Sequence, residues 1–95
     1  MKKSLTPIAV PLESVDGAFK EGKASNVTII GLSERKWIFQ FTSENPTSGQ
    51  VQLYTLRTQR GKVRVWSDPR NLFRWLNKRY GVKNGSFFLF YDEET

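Results

Sequence analysis

Cysteine and histidine are both missing from this chain of 95 residues, and methionine occurs only once. Without cysteine there can be neither a disulfide framework nor a thiolate metal site. Without histidine the commonest zinc ligand and the commonest general base are gone, which removes histidine-dependent acid–base chemistry and catalytic triads. Long hydrophobic runs are also absent, and no stretch approaches the roughly 18 to 20 residues of a membrane span. The opening Met1-Lys2-Lys3-Ser4-Leu5-Thr6-Pro7 has two lysines, but Pro7 and Pro11 interrupt any apolar stretch after them, so no secretion signal is read and a cytoplasmic location is expected. Carboxylates are sparse, and their only cluster is Asp92-Glu93-Glu94 at the end. No glycine pattern matches a phosphate-binding loop or a dinucleotide fingerprint. The inventory predicts a protein that is not an enzyme, with no metal, no cofactor, no small-molecule substrate and no membrane partner.

What the chain does have is aromatic residues and positive charge. Seven Phe, three Trp and three Tyr can fill a small core despite modest aliphatic content. Lys and Arg outnumber Asp and Glu by 15 to 9, giving +6. The excess is confined. Between Arg57 and Lys83 lie Arg57, Arg60, Lys62, Arg64, Arg70, Arg74, Lys78, Arg79 and Lys83 against the single acid Asp68. A basic half on an otherwise near-neutral molecule is the electrostatic footprint of a polyanion binder.

The first twenty-five residues read as an extended or weakly helical arm, with a single domain over 26–92 and an acidic tail over 93–95. In the arm, Leu12, Val15 and Phe19 recur at i, i+3, i+7, which predicts a short helix from Leu12 to Lys20 despite Gly17. From Val27 the pattern alternates as in strands. Val27–Leu32, Trp37–Thr42, Gln50–Leu56 and Lys62–Trp66, joined by short polar turns, predict an antiparallel four-strand meander. Its inner face would carry Trp37, Phe39, Phe41, Val51, Leu53, Val63 and Val65.

Ser67-Asp68-Pro69 then reads as a cap and a proline at the first helical position, and Gly81 as the left-handed terminator of a helix ending at Tyr80. Pro69, Leu72, Phe73, Leu76 and Tyr80 share one face of that helix, and Trp75 lies near the boundary with the basic face. Ser86–Tyr91 completes the set as a fifth strand, apolar on both sides. The expected fold is therefore α+β: an antiparallel sheet of about five strands with one C-terminal helix packed across one face.

With Phe39, Leu53 and Val63 turned toward the helix, Gln40, Gln52, Tyr54, Lys62, Arg64 and Trp66 would face away. That outer face combines aromatic planes for base stacking with cations for phosphates. Arg57, Arg60, Lys62 and Arg64 are the expected phosphate contacts, Trp66 and Tyr54 the stacking residues, and Arg70, Arg74 and Lys78 secondary phosphate contacts. The expected function is a basic nucleic-acid-binding accessory protein, DNA favoured. The alternative is a protein-interaction module that buries the same aromatics against a partner.

Two resemblances add to this. The stretch Leu53-Tyr54-Thr55-Leu56-Arg57-Thr58-Gln59-Arg60-Gly61-Lys62-Val63-Arg64-Val65-Trp66, with Leu72-Phe73-Arg74-Trp75-Leu76 and Gly81, resembles small partition-associated accessory proteins of bacterial plasmids. That likeness implies residence on a mobile element and a part in DNA maintenance. Four antiparallel strands and then one helix also resembles the repeat of Pur-type and whirly-type single-strand binders. In those, aromatic and basic residues on the sheet would correspond to Tyr54, Arg64 and Trp66, and pairing of two units would imply a homodimer.

Overall fold

A computed structural model describes residues 7–45 and 47–90. The chain is α+β, with five strands and two helices: β1 (Ile8–Val10), α1 (Leu12–Lys20), β2 (Ser25–Ser33), β3 (Lys36–Glu44), β4 (Val51–Leu56), α2 (Pro69–Tyr80) and β5 (Ser86–Leu89). The strands form one sheet in the order β1-β4-β3-β2-β5. β2, β3 and β4 are the antiparallel meander that their alternation predicts, whereas β1 lies parallel to β4 and β5 parallel to β2. The sheet is thus mixed, not wholly antiparallel.

Helix α2 obeys its local signals. The Asp68 carboxylate accepts the Arg70 backbone N–H at 2.9 Å, Pro69 opens the helix, and Gly81 closes it at φ 72° with its N–H donated to the Asn77 carbonyl at 2.9 Å. Lys78 and Arg79 sit in the last turn, where cations favour the helix dipole. Helix α1 has the predicted bounds, with Val15 fully buried and Phe19 stacked on Tyr80 at 4.1 Å between ring centres. Both helices pack on the sheet face that bears Ile29, Phe39, Phe41 and Leu56. The segment read as an arm therefore supplies strand β1 and part of the core, while Met1–Thr6 lie outside the described residues.

Four expectations are corrected. Lys62–Trp66 is not a fourth strand. The place beside β4 is taken by β1, whose Val10 carbonyl accepts the Arg57 N–H at 2.9 Å, and Lys62–Trp66 folds back with only the isolated bridges Arg57–Val63 and Trp37–Trp66. The face of β4 is also reversed. Gln40 stands opposite Thr55 and Phe41 opposite Tyr54, so Tyr54 and Leu56 turn toward the helices while Val51 and Leu53 turn away. Because both alternating sets of β4 contain apolar residues, its pattern did not distinguish the faces.

Third, Trp66 is buried at 6% exposure against Phe39 and Trp75, while Val63 and Val65 are exposed. Fourth, Phe73 is exposed, and the half-buried Trp75 packs against the core beside Leu72 and Leu76. The outer sheet face carries Thr28, Ile30, Ile38, Gln40, Thr42, Leu53, Thr55 and Phe88, without the expected Tyr54 and Trp66. The Thr55 hydroxyl donates to the Phe39 carbonyl at 2.8 Å, which satisfies this buried polar group. β5 is apolar on both sides as expected, and Tyr91 lies outside the described residues.

Candidate nucleic-acid interface

The basic residues converge on the helix side at one end of the sheet. After β4 the chain makes a tight turn in which Thr58 donates its N–H to the Lys62 carbonyl at 2.7 Å, and Gly61 to Thr58 at 2.9 Å. Gly61 adopts φ 88°, a conformation that costs a side-chain-bearing residue. The returning segment is pinned by the Arg64 N–H on the Leu56 carbonyl at 2.9 Å. This turn sets Arg57, Arg60 and Arg64 around a groove of about 760 Å³ that is closed by Pro11 and Leu12 at the start of α1 and by Trp75 of α2.

On the far side of Trp75 a second depression of about 410 Å³ is lined by Asn71, Arg74, Lys78 and Arg79. Trp75 is common to both. It is half-buried, and it rests on Trp66 at 5.3 Å and on Phe39 at 5.7 Å between ring centres. Below it, the Arg64 guanidinium lies 4.4 Å from the centre of the Trp66 ring, a cation–π contact that orients the arginine while leaving its charge exposed. An aromatic ridge thus runs between two groups of cations.

The position of Trp75 depends on how the helices are clamped. Arg79 donates from Nε and Nη2 to the two Asp16 carboxylate oxygens, each at 2.9 Å, and Tyr80 donates its hydroxyl to the same carboxylate at 2.6 Å. The Arg79 hydrogen bonds, helped by that of Tyr80 and opposed by partial burial, hold Asp16 below the usual carboxylate range. Burial, with the Asp16 carboxylate as hydrogen-bond acceptor, pushes Tyr80 well above an ordinary phenol and keeps it a neutral donor. The Arg79 guanidinium also lies 5.6 Å from the Trp75 ring centre.

The expected site residues are distributed unevenly. Arg57, Arg60 and Arg64 come together as one wall, and none has a carboxylate partner among the described residues. Arg74 and Lys78 join them across Trp75, with Arg74 hydrogen-bonded to Asn71 at 3.0 Å. Lys62 is exposed but does not line either depression. Arg70 is held by Asp68 through a bidentate pair at 2.8 and 3.1 Å, which lowers the Asp68 pKa. Tyr54 lies elsewhere, against Phe41 at 5.7 Å, with its hydroxyl donated to Gln52 at 3.1 Å.

Trp66 is the buried support beneath the half-buried Trp75 ring and is not itself the platform. Trp75 is the residue that strand alternation overlooks. Its signal was local: an aromatic on the helix boundary with cations at i−1, i+3 and i+4. No helix among the described residues is long and apolar enough to cross a membrane. No protein-family model matches the chain, and neither curated proteins nor solved structures yield a match, so the resemblances rest on the sequence pattern alone.

Proposed function

We propose that this protein binds single-stranded nucleic acid across the Trp75 ridge. Phosphates would lie against Arg57, Arg60 and Arg64 on one side and Arg74 and Lys78 on the other. The carrying observation is the half-buried Trp75 between Arg57, Arg60 and Arg64 on one side and Arg74 and Lys78 on the other, none with a carboxylate partner among the described residues. Charge alone fits any polyanion. A supported indole face flanked by guanidinium groups fits an unstacked base, with about 1 to 3 kcal/mol expected from stacking. Arginine suits this task because its planar fork matches phosphate oxygens and remains charged at every relevant pH.

The test is fluorescence anisotropy of labelled single- and double-stranded oligonucleotides titrated with protein, at about 50 and about 200 mM salt. Five phosphate contacts give a slope of log affinity against log salt near about −3.5 on a single strand. Arg60→Ala should reduce that slope by about 0.7 and weaken all sequences alike. Trp75→Leu, which keeps an apolar residue on the core, should weaken single-strand binding about 5- to 150-fold with the slope nearly unchanged. Undetectable binding at the lower salt, or a slope that Arg60→Ala does not move, would overturn the proposal.

A further inference from the structure

The two edges of the sheet differ sharply. β1, at one edge, is only three residues long and is bracketed by Pro7 and Pro11, which cannot donate to another strand. β5, at the other edge, has no such protection among the described residues. It contains no proline and no charge, and Phe87, Phe88, Leu89 and Phe90 are 68, 56, 50 and 61% exposed. Phe87 and Leu89 register with Ile29 and Gly31 on the helix side, while Phe88 registers with Ile30 on the other. Phe88 and Phe90 stack in parallel with ring centres 6.1 Å apart.

The backbone edge is open as well. The Phe90 N–H donates to the Gly31 carbonyl at 2.9 Å, so the alternation of strand backbone groups turns the N–H and C=O of Phe87 and Leu89 away from β2. Gly85 brings β5 hard against β2, since a Cβ there would meet the Val27 carbonyl oxygen at 2.6 Å. The open edge is therefore held by a close backbone approach.

We propose that β5 pairs antiparallel with β5 of a second copy, about a two-fold axis at Phe88, to join two sheets edge to edge. This register makes Phe87 and Leu89 of opposite copies a hydrogen-bonded pair, using the outward groups of both. On the other face it sets Phe88 against Phe88 and Phe90 against the small Ser86, so large rings do not collide. At roughly 200 Å² per side chain, the exposed parts of the four residues amount to at most about 900 Å² over two copies. That lies below the size of a stable, permanent interface and in the range of a weak, transient one, so the dimer should depend on protein concentration.

Sedimentation velocity on the full chain over about 5 to 500 µM tests this by mass action. The wild-type protein should shift with concentration from 11.0 kDa toward twice that mass. Phe88→Lys, at an exposed position, should stay at monomer mass throughout with an unchanged circular dichroism spectrum. A wild-type protein that stays monomeric throughout, or a dimer that survives Phe88→Lys, would overturn the proposal.

Discussion

Leu72 and Phe73 are neighbours on α2 that a helical wheel assigns to the same apolar face, and the structure separates them. Leu72 is 0% exposed at the junction of α2 with Phe39 and Phe41, whereas Phe73 is 51% exposed. Truncating Leu72 to Ala removes a fully buried side chain and leaves a cavity that rigid neighbours cannot fill, at a cost of about 3 to 5 kcal/mol. Truncating Phe73 to Ala removes a larger side chain, but half of it never left water. The loss is about half the 1.5 to 3 kcal/mol of full burial, or about 1 kcal/mol, and the better helix propensity of Ala returns part of that.

For a domain of this size each kcal/mol moves Tm by about 4 to 8 °C. Leu72→Ala should therefore lower Tm by more than about 12 °C, and Phe73→Ala by less than about 8 °C. Thermal unfolding monitored by near-ultraviolet circular dichroism, at low micromolar protein so that association does not contribute, reads the difference directly. The two variants melting together, or Phe73→Ala melting lower, would refute the placement of α2 on the sheet.

Individual contacts set further outcomes. Gly31→Ala should destabilise the fold by about 1 to 3 kcal/mol in urea titration, because its Cβ would meet the Trp37 ring at 2.8 Å and Leu89 at 3.1 Å. Asp16 binds protons less readily folded than unfolded, so its contribution is fully present above the unfolded value of 3.8 and is lost as pH falls through the depressed folded value. Asp16→Asn should accordingly flatten the acid limb of the stability–pH curve, and an unchanged limb would show that the clamp contributes nothing. Asp68→Ala should lower Tm without altering the folded spectrum, since it removes the cap at Arg70 N–H. Trp66→Ala should unfold the protein at moderate temperature, as it empties the space between Phe39 and Trp75.

Some of the architecture is written in short stretches of chain. Ser67-Asp68-Pro69 and Gly81 bound α2 because a cap, a proline and a left-handed glycine act within a turn of where they stand. The spacing of Leu12, Val15 and Phe19 is enough for α1, and the alternation over β2, β3 and β4 is enough for three strands. The confinement of charge to residues 57–83 was likewise visible, as were Arg57, Arg60 and Arg64 as a group.

Pairing partners and faces were decided only by the assembled tertiary structure. β4 is apolar on both alternating sets, so its orientation waits on β3, and a one-residue shift exchanges Leu53 for Tyr54 on the core side. Lys62–Trp66 has the pattern of a strand, but the position it would occupy is filled by β1, a segment more than fifty residues earlier. Trp66 and Trp75 are the same residue type in equally basic surroundings. One became support and the other a half-buried ridge because burial is settled by what packs around a ring, and those neighbours come from β3 and the far end of α2. Local chemistry shapes a helix end or a turn, whereas the identity of a neighbour across the core depends on long-range packing.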